Sequence, residues 1–60
     1  MSNDQFHLIA TFYLPKEGGF ASRLADAYIY ADPTNKQKIQ NTFYDLFNNA
    51  FIKWHKENEE

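Results

Sequence analysis

The residues best suited to chemistry in this 60-residue chain are its two histidines, His7 and His55. His55 and Glu59 are four residues apart, a spacing that would put an imidazole and a carboxylate on one helical face. A zinc site needs three or four ligands with a supporting second layer of hydrogen bonds, and neither histidine has such a set nearby. The chain contains no cysteine, which excludes disulfides and thiolate ligands. We therefore expect no metal site and no cofactor.

A second candidate is the pair Gly18-Gly19, which precedes a predicted helix start and is followed one turn later by Arg23. Backbone N–H groups at a helix start can bind an anion. The pattern matches neither the phosphate-binding loop nor the dinucleotide fingerprint, and no strand precedes it. A sharp chain reversal explains the glycines, so the sequence does not predict a phosphate site.

Catalysis by a nucleophile has little support, because serine occurs only at positions 2 and 22, without a base at plausible spacing. Non-catalytic roles explain the three aspartates in the middle of the chain: ion pairing for Asp26, helix capping for Asp32 and surface solvation for Asp45. A chain this short also has difficulty enclosing a dry pocket for a small-molecule substrate. We expect the protein not to be an enzyme.

Nucleic-acid binding is the strongest alternative function. A sharp corner before residue 33, superficially like a helix-turn-helix, would put Lys36, Gln37, Lys38, Gln40 and Asn41 at the start of a recognition helix. These residue types contact phosphates and adenine edges. The net charge of −2 and the absence of arginine from this helix argue against the alternative.

Aromatic residues make up 18% of the chain, as six Phe, four Tyr and one Trp. These large side chains can compensate for the small core of a short domain. Valine is absent and isoleucine occurs four times, so the β-branched residues that strands favour are scarce. The composition therefore predicts an all-α fold. No apolar stretch approaches the ~20 residues of a membrane span, and we expect a cytoplasmic protein.

Apolar residues recur at helical spacing in three segments. The sequence therefore predicts a single three-helix domain over 1–60, with helices at about 3–14, 20–31 and 33–56 and a frayed tail at 57–60. The first two helices are shorter and are expected to pack on the long C-terminal helix. The expected core consists of Phe6, Ile9, Tyr13, Phe20, Leu24, Tyr28, Phe43, Phe47, Phe51 and Trp54.

Helix boundaries follow from capping residues and prolines. Ser2 and Gln5 have capping-box spacing, so the first helix begins there. Pro15 is expected to end it, because the residue before a proline avoids the helical region. Pro33 suits the first position of the third helix. No Gly or Pro interrupts that helix, which predicts one continuous element, although a kink near 42–44 stays open.

Four apolar residues lie outside the three stripes: Leu8, Phe12, Ile29 and Ile52. In one interpretation the first helix is covered on two sides, which would bury Leu8 and Phe12. In the other, the four residues form an exposed patch that a partner covers. Symmetric dimers are the commonest oligomers, so a second copy is the first candidate partner.

Several segments together resemble a small family of phage and prophage proteins. The resemblance rests on FHLIATFYLP (6–15), GGFA (18–21), LADAY (24–28), ADPTN (31–35) and FYDLF (43–47). The family pattern has proline where Tyr44 stands here, a departure that favours a continuous third helix. The family has no established activity, so the resemblance implies only a small protein that binds a host or phage protein. The sequence thus predicts a non-catalytic, self-associating interaction module.

Overall fold

A computed structural model describes the backbone of residues 1–58 and the side chains of residues 1–55. Its elements are α1 (Asn3–Leu8), a π-helical turn (Ile9–Tyr13), a 3₁₀ turn (Leu14–Glu17), α2 (Gly19–Tyr30), α3 (Pro33–Thr42) and α4 (Tyr44–Asn58). This part of the chain contains no strand, which confirms the all-α class. The three-helix prediction is wrong, because residues 1–58 form four α-helices.

The predicted start of α1 is confirmed. The Ser2 hydroxyl accepts a hydrogen bond from the Gln5 amide N–H at 3.2 Å, and the Ser2 N–H donates to Gln5 Oε1 at 3.0 Å. This capping box satisfies two amide groups that a helix start leaves without an internal partner. Asp4, in the first turn, adds a favourable charge at the positive end of the helix dipole.

The hydrogen-bond pattern of α1 changes in its second half. The Leu14 N–H donates to the Ile9 carbonyl, a π-type bond that spans five residues. At the same place the Thr11 hydroxyl donates to the His7 carbonyl at 2.8 Å. The wider turn brings Leu14 back to the side of the helix that faces the core, where it is fully buried.

The predicted end of the first helix before Pro15 is wrong, because helical backbone extends through the 3₁₀ turn to Glu17. Leu14 keeps helical dihedrals, with φ −58° and ψ −38°. Pro15 is tolerated because it stands at the start of the 3₁₀ turn, where its missing N–H removes no hydrogen bond. Gly18, with φ 113°, then turns the chain into α2.

The core is aromatic at its centre. The Phe47 ring lies 5.1 Å from that of Phe6 and 5.4 Å from that of Tyr28, both in edge-on geometry. On α2, the face turned inward carries Ala21 and Ala25 together with Tyr28. The full buried set is Phe6, Ile9, Ala10, Tyr13, Leu14, Ala21, Ala25, Tyr28, Phe47 and Ala50.

The predicted single helix over 33–56 is broken at Phe43, whose φ of −112° and ψ of 27° end α3. The Phe43 N–H still donates to the Ile39 carbonyl, and the Phe43 carbonyl accepts from Phe47. A straight helix over 33–58 would be about 39 Å long. That length exceeds the longest dimension of the molecule, 34 Å. The break allows α3 to pack on α2 and α4 to pack on the first helical segment, which comprises α1, the π-helical turn and the 3₁₀ turn (3–17).

None of the helices in the described part of the chain combines the length and apolar character that crossing a membrane requires. The tail predicted to fray, 57–60, belongs partly to α4, which continues to Asn58. Glu59 and Glu60 lie outside the described residues.

Candidate interaction surface

An apolar stripe runs along the outer side of α2. It consists of Phe20, Leu24, Ala27 and Ala31, and is called the α2 stripe below. Its members recur every three or four residues, which places Phe20, Leu24 and Ala27 on one side of the helix, and Ala31, the C-cap residue with extended backbone, follows at the end of the stripe. Phe20 is 65% exposed and Ala27 is exposed, while Leu24 and Ala31 are half-buried. The prediction that Phe20 belongs to the core is therefore wrong.

Two parallel stripes on one helix explain this outcome. The inner stripe begins with the small side chains of Ala21 and Ala25, which allow α2 to approach the first helical segment closely, and continues with the large buried ring of Tyr28. Phe20 precedes Ala21 by one position and so points about 100° away from it. The larger side chain is left on the surface because the smaller one fits the close contact.

The surface continues from α2 to the break between α3 and α4. The Phe20 ring lies 5.8 Å from the ring of Phe43, which is half-buried. Ile39, one turn earlier on α3, is half-buried against the core. Phe20 thus lies against apolar groups on one side and against solvent on the other.

Two exposed residues stand on the flank of the α2 stripe, Arg23 near its beginning and Tyr30 near its end. They are seven residues apart, close to two helical turns, so both lie on the same flank. Tyr30 is 88% exposed, the most exposed of the large apolar side chains in the described chain. The surface therefore carries a cation and an aromatic ring beside its apolar centre.

The four contact residues predicted from the sequence are placed differently from one another. Leu8 and Ile29 are half-buried and pack against the core, so part of each stabilises the fold. Phe12 is 59% exposed and Ile52 is 58% exposed. Phe12 belongs to the π-helical turn and Ile52 to α4.

The residues of the nucleic-acid alternative also differ in accessibility. Gln40 is buried, and its Nε2 donates to the Tyr28 hydroxyl at 2.7 Å and to Asn3 Oδ1 at 3.2 Å. Gln40 is therefore occupied within the fold. The amide of Gln37 donates to the side chain of Asn41 at 3.2 Å.

The two lysines of that set have different surroundings. The Lys36 ammonium lies 5.5 Å from the centre of the Tyr28 ring and its side chain is partly buried. Lys38 is exposed. A phosphate contact is therefore open to Lys38, whereas Lys36 already makes a cation–π contact.

A cleft of about 420 Å³ separates the beginning of α1 from α3. Asp4 and Lys36, of opposite charge, both line it, so the cleft has no single-sign field for an ionic ligand. Its lining consists of Asn3, Asp4, His7, Tyr28, Pro33, Lys36, Gln37 and Gln40.

The histidines are not grouped with other metal ligands within the described residues. His7 is exposed. The His55 ring stacks on Phe51 with centres 4.6 Å apart, and its Nδ1 lies 3.4 Å from the Tyr13 hydroxyl. Glu59, considered with His55 as a ligand pair, lies outside the described residues.

A polar clamp connects the 3₁₀ turn to α4. The Trp54 indole N–H donates to Glu17 Oε2 at 2.5 Å, and Lys53 reaches the same oxygen at 3.5 Å. The ammonium groups of Lys16 and Lys53 lie 4.8 and 4.9 Å from the Trp54 ring. The clamp holds the end of the first helical segment against the C-terminal helix.

Comparison with protein-family models, with curated protein sequences and with solved structures gives no match to this chain. The α2 stripe is the surface that the sequence prediction missed. The signal was present, because Ala21 and Ala25 form a second stripe beside it at the same spacing.

Proposed function

We propose that the protein is a non-catalytic interaction module that binds a second copy of itself through the α2 stripe. The observation that carries the proposal is the position of Phe20, whose ring is 65% exposed although it is anchored against Phe43. Fully burying such a side chain contributes roughly 1.5–3 kcal/mol. A large ring held on the surface beside other apolar groups is typical of a protein contact.

The size of the molecule supports the proposal. Its accessible surface is 4124 Å². A standard interface buries about 800 Å² on each partner, which is about a fifth of this surface. Association would also add buried apolar area to a domain whose own core is small.

The residues predicted from the sequence form a second region, which is the alternative contact for the same self-association. Phe12 and Ile52 expose large apolar side chains. Leu8 and Ile29 are half-buried, so only the part of each side chain that does not pack against the core is accessible to a partner. The α2 stripe is preferred because it combines several neighbouring apolar residues with the Phe20–Phe43 contact.

The proposal includes the cytoplasm as the compartment, because a chain without cysteine is suited to reducing conditions. The phage-type resemblance adds a host or phage protein as a further partner of the same surface.

The nucleic-acid alternative has weaker support, since Gln40 is occupied by Tyr28 and Asn3. A gel-shift titration with mixed duplex DNA at low salt tests it. Binding that weakens steeply as salt rises would favour this alternative, because phosphate contacts release counterions.

Sedimentation equilibrium over a range of protein concentrations tests self-association. We expect the mass to rise from that of the 7.1 kDa chain to twice that value. Phe20→Asp should remain monomeric, because a charge in the contact would be buried without a partner. Phe12→Asp is the matched control, since its aromatic ring is similarly exposed on another element. A wild-type protein that is monomeric at every concentration would refute the proposal. If Phe12→Asp is monomeric while Phe20→Asp still dimerises, the dimer contact lies in the second region and not in the α2 stripe.

A further inference from the structure

We infer that the two copies pair through antiparallel α2 helices, with Phe20 of one copy over Ala31 of the other and Leu24 over Ala27. This inference rests on the proposed self-association and specifies its geometry. It follows from the order of sizes along the α2 stripe, where the two large side chains come first and the two alanines come last.

Packing density decides between the two directions of pairing. In a parallel pair, Phe20 would meet Phe20 and Ala31 would meet Ala31, so one end would be overfilled and the other would contain a void. Both defects are destabilising. In an antiparallel pair each large side chain meets a small one, and both ends are filled equally. The α2 stripe is therefore complementary to itself in one direction only.

The spacing of the α2 stripe is symmetric, which a two-fold axis requires. Phe20 and Leu24 are four residues apart, as are Ala27 and Ala31, so both facing pairs form at the same register. The axis would cross α2 midway between Leu24 and Ala27. Such a pairing is closed and uses the same surface on both copies.

The flank of the α2 stripe fits the same arrangement. Arg23 and Tyr30 stand near opposite ends of one flank and are both exposed. Antiparallel pairing brings the guanidinium of one copy towards the Tyr30 ring of the other, twice per dimer. A cation beside an aromatic face is an attractive contact, and it gives the highly exposed Tyr30 a partner.

Disulfide trapping tests the geometry, and the natural chain contains no cysteine to interfere. In one mixture, the Phe20→Cys and Ala31→Cys proteins are combined and mildly oxidised. In a second mixture, the Leu24→Cys and Ala27→Cys proteins are treated in the same way. We expect disulfides between the two different variants of each pair. Phe20→Cys alone should form almost none, because in the antiparallel dimer its two copies are about 16 Å apart along the helices, too far for a disulfide. Asn49→Cys, exposed on α4, is the surface control.

A size exchange provides an independent measurement by sedimentation. Phe20→Ala and Ala31→Phe should each weaken the dimer about tenfold or more, by leaving a void or by overfilling the contact. The double variant Phe20→Ala/Ala31→Phe should recover most of the affinity, because each pair again joins a large and a small side chain.

The outcomes separate the inference from the proposed function. Disulfides in Phe20→Cys alone would indicate parallel pairing and overturn the inference. A further outcome is that the wild-type chain dimerises while neither cysteine mixture forms a disulfide and the double variant recovers no dimer affinity. That combination would overturn the antiparallel geometry and leave self-association standing. Absence of any dimer in the wild-type chain would refute both.

Discussion

The side-chain amide of Gln40 donates a 2.7 Å hydrogen bond to the hydroxyl of Tyr28, and both side chains are buried. The second hydrogen bond of the same nitrogen reaches Asn3 at 3.2 Å. One polar side chain of α3 therefore connects α2 to the beginning of α1. A buried amide without these partners would be costly, so the network also fixes the position of α3.

Tyr28→Phe should destabilise the protein by about 1–2 kcal/mol, because it leaves a buried N–H of Gln40 without an acceptor. Urea unfolding followed by circular dichroism measures the change. The matched double variant Tyr28→Phe/Gln40→Leu should be less destabilised than the sum of its two single variants, since both polar partners are then removed. Strict additivity in this cycle would show that the hydrogen bond does not couple the two residues.

The clamp between Glu17 and Trp54 predicts different effects for two substitutions of Glu17. Glu17→Ala removes the acceptor of the indole N–H and should cost about 1.5–3 kcal/mol. Glu17→Gln keeps an acceptor oxygen and loses only the ion pair with the well-exposed Lys53, which should cost less than about 1 kcal/mol. Because Trp54 is the single tryptophan, its emission should shift to longer wavelength in Glu17→Ala. Equal losses in the two variants would assign the stability to the ion pair instead.

The adjacent glycines 18 and 19 should respond oppositely to alanine. Gly18 has a φ of 113° and a ψ of −179°, a region essentially restricted to glycine, and a Cβ there would meet no atom within 4 Å. Gly18→Ala should therefore cost about 1–3 kcal/mol through backbone strain alone. Gly19 begins α2 and is also in open space. Gly19→Ala should stabilise by about 0.4–1 kcal/mol, because it restricts the unfolded chain. Thermal unfolding of both variants measures the contrast, and a stabilised Gly18→Ala would contradict it.

Phe47→Ala should cost about 3–5 kcal/mol, since the ring is fully buried between Phe6 and Tyr28. This loss approaches the whole stability of a domain this small, so we expect no cooperative unfolding transition. Phe12→Ala removes an equally large ring from a position that is 59% exposed and should change stability by less than about 1 kcal/mol. Retention of a sharp transition by Phe47→Ala would show that the core tolerates the cavity.

The start of α1 and the centre of the core were predictable because they depend on local signals. Ser2 and Gln5 have the capping-box spacing, and Phe6, Tyr28 and Phe47 lie on the predicted stripes. The helical class followed from composition in the same way. These features need no knowledge of how the helices meet.

The sequence left a kink near 42–44 open, but local patterns did not decide for the break at Phe43 or for the exposure of Phe20. The apolar period runs through Phe43 without a change of phase, and the break follows from the packing of α3 on α2 and of α4 on the first helical segment. Phe20 and Ala21 both belong to regular stripes on α2. Which of the two stripes is buried depends on how closely α2 approaches the first helical segment, and that distance is a property of the assembled core.

The π-helical turn has a consequence for changes in chain length. It contains one residue more than a regular helical turn would need between Ile9 and Leu14. Deleting Thr11 would turn the bond from Leu14 to Ile9 into an ordinary α-helical one, so the helix would rewind to its usual pitch and everything downstream would keep its direction. Tightening the turn with all residues kept would instead rotate everything downstream by about 100° and carry Glu17 out of reach of the Trp54 indole, so the wide turn keeps Glu17 in register with α4.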